Sequence, residues 1–243
     1  MAKKKLNILY QDENYIAVEK PAGILVHPYK ERSKDRRSLM RSLKAQTDLY
    51  LYPIHRLDNN VSGVVIFGLS SEATKLIKEN WNTENTTKKY IALVRGETDQ
   101  KAQIDFALTN DHGVKQEACT VYDTLMTKNG FSLIDIEIKT GRKHQIRRHL
   151  SRRMNNIVGD AKYGNGLTNK YFRKKYKFYR LFLHSYELSF MHPYTGQSIT
   201  IKCPLPKELT AIQRDFESGL INIKDGTIDL PISVGGDTFK EDK

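Results

Sequence analysis

An aspartate stands at the centre of the polar turn His55-Arg56-Leu57-Asp58-Asn59-Asn60-Val61-Ser62-Gly63, which feeds directly into the apolar run Val64-Val65-Ile66-Phe67. A carboxylate at the mouth of a buried strand sits at the edge of the core and needs a partner. On this stretch alone, an Asx-type hydrogen bond within Asp58-Asn59-Asn60 accounts for it equally well. The candidate partner lies in Lys139-Thr140-Gly141-Arg142-Lys143-His144-Gln145-Ile146-Arg147-Arg148-His149-Leu150, which opens an expected helix over residues 142–154. At about 100° per residue, Ile146, Leu150 and Met154 form one apolar stripe, with Arg147 about 60° from its centre and Arg148 about 160° away. Arg147 can therefore turn inward while Arg148 faces solvent. A guanidinium at the border of the core can grip a carboxylate through two parallel hydrogen bonds and favours its ionised form, which is what a nucleophile or a proton acceptor requires.

Other chemistries find less support. His55, His144, His149, His184 and His192 include no helix-spaced pair with an acidic third ligand nearby, so no metal is expected. Gly63 and Gly68 stand alone, and no glycine-rich phosphate loop is present. The two cysteines, Cys119 and Cys203, are far apart and have no partner at metal-ligand spacing. That usage predicts neither a disulfide framework nor zinc, and it fits a reducing cytoplasm. The basic start Met1-Ala2-Lys3-Lys4-Lys5 is not followed by the apolar core of a signal peptide, and no run approaches the ~20 apolar residues of a membrane span.

Charge points to the partner. Lys and Arg number 40 against 28 acids, a net +12 that favours an anionic polymer held by many phosphate contacts. Six of these cations fall between Arg142 and Arg153. A second basic stretch, Tyr171-Phe172-Arg173-Lys174-Lys175-Tyr176-Lys177-Phe178-Tyr179-Arg180, interleaves aromatics, offering phosphate contacts and base stacking. About half of its aromatics are expected in the core instead.

The elements that must position these groups follow from period and punctuation. Residues 6–11 and 15–19 read as a hairpin closed by Pro21 and Gly23, and residues 38–46 as a helix. Residues 64–67 read as a buried strand, followed by an N-cap at Ser70-Ser71 and an amphipathic helix through Ala73, Leu76, Ile77 and Trp81. In the strand 89–94, Tyr90, Ala92 and Val94 share one face, and Ile91 and Leu93 the other. Residues 118–126 and 131–139 pair around Lys128-Asn129-Gly130, with Ile134, Ile136 and Ile138 inward and Asp135 and Glu137 on a solvated face. Gly159-Asp160 and Gly164-Asn165-Gly166 signal loops, and strands follow near 181–190 and 198–203. Without regular βαβ alternation, the class is α+β with a largely antiparallel mixed sheet and flanking helices.

The segment His55 to Gly63, together with Thr140-Gly141-Arg142-Lys143-His144-Gln145-Ile146-Arg147, resembles the RluA family of RNA pseudouridine synthases. Val18-Glu19-Lys20-Pro21-Ala22-Gly23, Lys89-Tyr90-Ile91-Ala92, Gly159-Asp160 with Tyr163-Gly164, Leu183-His184 and His192-Pro193 extend the resemblance along nearly the whole chain. It implies the pseudouridine synthase fold with a central catalytic cleft, working on RNA as a monomer without cofactor or metal. By motif position, Asp58 is the expected catalytic acid, Tyr90 the tyrosine that stacks on the target base, and Arg147 the arginine paired with the acid. Arg56 is expected to help displace the flipped nucleotide, and His55, Arg142, Lys143 and His144 to contact substrate. The stretches 8–13 and 68–73 resemble the branch of the family that modifies the T-arm of tRNA, with ribosomal RNA as the alternative target. A non-catalytic RNA-binding module is the alternative of another class. Two departures stand out: Val61 replaces the family's usual threonine, and the region 96–120 is short. On this reading residues 1–218 form the catalytic domain, with no accessory RNA-binding domain before it, and residues 219–243 a partly mobile C-terminal extension.

Overall fold

The structure is a computed structural model that describes residues 5–27 and 38–223; most of the expected extension 219–243 lies outside the described residues. In chain order the elements are β1 (Ile8–Gln11), β2 (Tyr15–Lys20), α1 (Leu39–Thr47), β3 (Tyr52–Pro53), β4 (Ser62–Gly68), α2 (Ser71–Glu79), β5 (Thr86–Arg95) and β6 (Lys101–Ile104). Then come β7 (Leu108–Thr109), β8 (Lys115–Gln116), β9 (Thr120–Lys128), β10 (Phe131–Ile138), α3 (Gln145–Arg152), α4 (Gly166–Tyr176), β11 (Leu183–Met191), β12 (Ser198–Lys202) and α5 (Lys207–Glu217). This is the α+β class expected from the sequence.

The main sheet runs β1-β2-β4-β11-β5-β10-β9-β6, with β12 on β11 and β3 on β4. Every pairing in it is antiparallel except one: β4 and β11 run parallel, with Ser62 opposite His184 and Gly63 opposite Ser185. At this junction the two halves of the sheet meet. Gly63 has φ +128°, and a Cβ there would lie 2.1 Å from the Ser185 carbonyl oxygen, so only glycine admits this approach. Beside it, the Ser62 hydroxyl meets His184 Nδ1 at 2.7 Å and accepts from Arg180 Nη2 at 2.7 Å.

Strand alternation decides which helices cover which face. Val65 and Phe67 of β4, Tyr90, Ala92 and Val94 of β5, and Ile134, Ile136 and Ile138 of β10 pack with Leu39 and Leu43 of α1 and Ile146 and Leu150 of α3. On the reverse face, Val64 and Ile66 meet Ala73 and Ile77 of α2, while Leu93, Phe131 and Leu133 meet α4 and α5. The central strands are thus apolar on both sides because both sides are covered. Only part of the expected solvated face on β10 exists: Asp135 and Glu137 are half-buried, and Asp135 accepts from the Tyr186 hydroxyl at 2.9 Å.

Three local expectations are corrected. The helix expected from 142 to 154 spans only Gln145–Arg152, because His144 takes a left-handed φ of 54° and the chain leaves the helix before Met154. Met154 is 72% exposed at φ 63° and belongs to no apolar stripe; His149, bonded to Thr120 Oγ1 at 3.0 Å, is buried there instead. Trp81 packs beyond the end of α2. Finally, α4 starts at Gly166, inside the expected loop signal, and covers the first six residues of the basic aromatic stretch; Tyr171, Phe172 and Phe178 are core residues, as expected for about half of its aromatics.

Candidate active site

The turn that carries Asp58 is fixed by its own backbone and by a buried lysine. Lys20 ends β2 on the inward face shared by Ile16 and Val18, and its ammonium donates to the carbonyls of Pro21 (3.0 Å), Asn59 (2.9 Å) and Val61 (2.7 Å). Three N–H donors meet three carbonyls, which offsets much of the penalty of burying the charge. Burial still pulls the Lys20 pKa down to about 7; Arg180 adds to the shift and Asp58 opposes it. Gly23 N–H donates to the Asn59 carbonyl (2.9 Å), and Val61 N–H closes the turn on the Asp58 carbonyl (3.1 Å).

Arg147 comes from the first turn of α3 on the side facing this turn, as the angular argument requires. Its Nη1 donates to Asp58 Oδ2 at 2.7 Å. The two-pronged grip goes elsewhere. Nε and Nη2 donate to Asp160 Oδ2 and Oδ1 at 2.8 and 2.9 Å, and Asp160 also accepts from the backbone N–H groups of Lys162 and Tyr163. The expected fork on Asp58 is therefore a single bond, and Arg147 is held from behind by a carboxylate the sequence reading left outside the site. The Tyr163 ring lies 5.0 Å from the guanidinium carbon.

Burial alone would lower the Arg147 pKa, but hydrogen bonds to Asp160 and Asp58 outweigh it and raise the pKa above the usual arginine value. Burial would likewise raise Asp160, yet Arg147 and the two amides win and hold it below the usual carboxylate range. The result is a permanent cation with one prong aimed at a partly open acid: the Asp58 side chain is 25% exposed and that of Arg147 11%.

His144 packs against the same pair. Its left-handed backbone turns the imidazole so that Nδ1 meets the Tyr163 hydroxyl at 3.0 Å and Nε2 lies 3.8 Å from Asp58 Oδ1. Burial lowers its pKa; Asp58 opposes the shift, and Arg147, Lys162 and Lys143 add to it.

Asp58 and Arg147 stand where two hollows join. One, of about 90 Å³, is walled by Tyr90, Val61, Ile138 and Leu183; the other, about 410 Å³, runs out past Arg56, Asn60, Lys143 and Lys162. Tyr90 is buried on β5, and its phenol pKa is pushed up to about 12 by burial, with Asp58 adding and a hydrogen bond with Ser185 opposing. It stays protonated at neutral pH and presents a ring beside the acid.

Of the residues singled out in the sequence, Asp58, Tyr90, Arg147, Arg56, Arg142 and His144 line the smaller hollow, and Lys143 lines the larger. Arg142 turns its Nε to the Glu117 carbonyl (2.8 Å), and Lys143 pairs with Asp111 at the rim (2.5 Å). His55 lines neither hollow. Its ring packs tilted against Trp81 with centroids 5.0 Å apart and accepts from Ile66 N–H at 3.2 Å, and burial, reinforced by Lys88, drops its pKa to about 3. Asp160, Tyr163 and Lys20 stand only within the stretches that carry the family resemblance and were given no role at the site. Lys20 had a signal, because the period-two pattern Ile16, Val18, Lys20 carries it inward; Asp160 lies in a loop, where no period applies.

Residues 14–152 match the family model described as RNA pseudouridylate synthase. The chain is 35% identical over 234 residues to tRNA pseudouridine synthase C of Vibrio vulnificus, covering 87% of this chain and 96% of that protein. It is 37% identical over 218 residues to the protein of the same name from Pasteurella multocida, covering 81% and 90%. Among solved structures, human RNA pseudouridylate synthase domain containing 4 superposes with a TM-score of 0.72 over 87% of this chain and 93% of that one, at 23% identity, a likeness of fold. A family match spanning both the turn of Asp58 and the helix of Arg147, with more than a third of residues identical along most of the chain, leads to one conclusion: this chain belongs to the RluA family of RNA pseudouridylate synthases, isomerases that convert uridine in RNA to pseudouridine.

Proposed function

We propose that the enzyme isomerises a uridine in the T-arm of tRNA, with Asp58 acting on the nucleotide, Arg147 holding and aiming that acid, and Tyr90 stacking on the uracil. The target choice draws support from relatives named tRNA pseudouridine synthase C that are 33–37% identical to this chain. The observation that carries the mechanism is the 2.7 Å contact of Arg147 with Asp58 at the mouth of the hollow walled by Tyr90. Two free cysteines suit work in a reducing cytoplasm.

The reaction breaks N1–C1′, turns the uracil and forms C5–C1′; C5 gives up its proton and N1 gains one, so substrate and product are isomers. No water is consumed, and one carboxylate suffices where a glycoside hydrolase needs two. The uridine must first leave its helical stack, at a cost of a few kcal/mol. Stacking on Tyr90 and phosphate contacts at the basic rim offset that cost, while exposed Arg56 fills the vacated position.

Incubating the protein with unmodified tRNA and with ribosomal RNA fragments, then mapping pseudouridine, tests this. Product in the T-arm is expected. Product confined to ribosomal RNA would move the target, and product on neither would overturn the reading.

A further inference from the structure

The basic aromatic stretch is sorted by α4. Tyr171 and Phe172 turn inward, leaving Lys170, Arg173, Lys174 and Lys177 exposed at spacings of three, one and three, one face of a helix. The helix contains no acid. Among the described residues, none of these four side chains forms a hydrogen bond or an ion pair, whereas Lys139, Arg153 and Arg180 are all mated to carboxylates. Like charges at helical spacing cost a few tenths of a kcal/mol per pair, and the helix dipole compensates only in the last turn. Arg173 and Lys174 lie in that last turn, so the dipole offsets part of the cost, yet among the described residues no side chain pairs with the stripe.

Both ends of α4 reach the catalytic turn. The loop before it, with Gly159, Ala161 and Lys162, walls the cleft that holds Asp58. The residues after it, Lys177 to Arg180, wall a second depression of about 740 Å³ with Lys207 opposite, and Asn60 of the catalytic turn lies in both. That depression's two acids are engaged: Glu208 by Arg180 at 2.9 Å and Glu19 by Asn7 at 3.2 Å. Tyr179 is 69% exposed at its edge. Asn169 fastens α4 to the site, accepting from Gly159 N–H and donating to the Asp160 carbonyl, both at 2.8 Å.

We propose that the outer face of α4 is a phosphate-binding rail that holds a double-stranded stem of the substrate RNA next to the extruded uridine. It rests on the RNA-modifying activity and not on the choice of the T-arm. From Lys170 to Lys177 the rail is about 10 Å long, roughly three nucleotides of one strand. Phosphate contacts of this kind fix position and affinity without reading sequence.

The test is filter binding of unmodified full-length tRNA, and of a single-stranded pentamer containing uridine, to wild type and to K170A/R173A/K174A/K177A over a range of salt. The tRNA Kd is expected to rise about tenfold or more, with the salt slope shallower by about 0.7–0.9 for each phosphate contact removed. The pentamer Kd stays unchanged, and in turnover the loss appears in KM and not in kcat. Replacing Lys170, Lys174 and Lys177 by Arg keeps the wild-type slope. An unchanged tRNA Kd and slope, or equal losses on tRNA and pentamer, would overturn the rail, as would binding of the face to anionic lipid vesicles with no effect on RNA. Failure of the T-arm assignment would show separately, in the position of the product.

Discussion

At the residue scale, the site turns on one guanidinium shared by two acids with unequal duties. Asp160 is buried and takes two prongs, so it fixes the cation; Asp58 takes one and keeps an edge toward the cleft. Asp160→Asn is expected to destabilise the fold by about 3 kcal/mol in urea unfolding at pH 7, the scale of breaking a buried ion pair. The pH dependence follows from the lowered Asp160 pKa. Below the ordinary carboxylate value of about 3.9, the unfolded chain binds the proton before the folded one does. The stability from this group is therefore complete above that value and is lost as pH falls through the lower folded value. Wild type and Asp160→Asn should differ fully at neutral pH and converge on acidification; a gap that persisted at the acid end would contradict the assignment. Asp58 and Arg147 were legible in the sequence because one interrupts the entry to an apolar strand and the other sits at a computable angle on a helix. Asp160 was not, since a loop gives a side chain no period from which its direction can be read.

At the element scale, the close parallel contact of β4 with β11 and the left-handed entry to α3 set where these residues stand. Gly63→Ala should cost about 3 kcal/mol or more, from a Cβ forced against the Ser185 carbonyl and from an unfavourable φ, and would show as a lowered urea midpoint. His144 poses the opposite case. A glycine there relieves a left-handed backbone worth about 1 kcal/mol but removes the imidazole beside Asp58. His144→Gly should keep or raise the Tm while lowering kcat/KM; a matching loss of both would mean that the histidine serves the fold. The strands β2, β4, β5 and β10 were readable from alternation and apolar runs. The helix α4 was not, because Gly164-Asn165-Gly166 imitates a loop and Leu167, the first apolar residue of the helix, is 55% exposed, which blurs the helical stripe. Met154 misled in the other direction: its spacing fitted a helix that ends before reaching it.

At the scale of the whole molecule, two halves of one sheet are joined at Gly63, and the catalytic turn rises from that seam between α1 and α3. The seam, and with it the cleft, depends on a parallel pairing between residues more than a hundred positions apart, which local patterning does not encode; the resemblance to the family implied a central cleft but not this pairing. The net charge of +12 was visible from composition, but the division of its cations into a rim, a stripe on α4 and paired surface groups required the fold. No helix among the described residues is long and apolar enough to cross a membrane. The central claim is that Asp58, held by Arg147, performs the isomerisation. It is tested most directly by mapping pseudouridine on unmodified tRNA treated with wild type or with Asp58→Asn, alongside RNA binding by both. Wild type should form pseudouridine at a defined uridine, while Asp58→Asn binds the RNA equally well and turns over about 10²–10⁴-fold more slowly, or not at all. Product formed by Asp58→Asn at the wild-type rate would contradict the account.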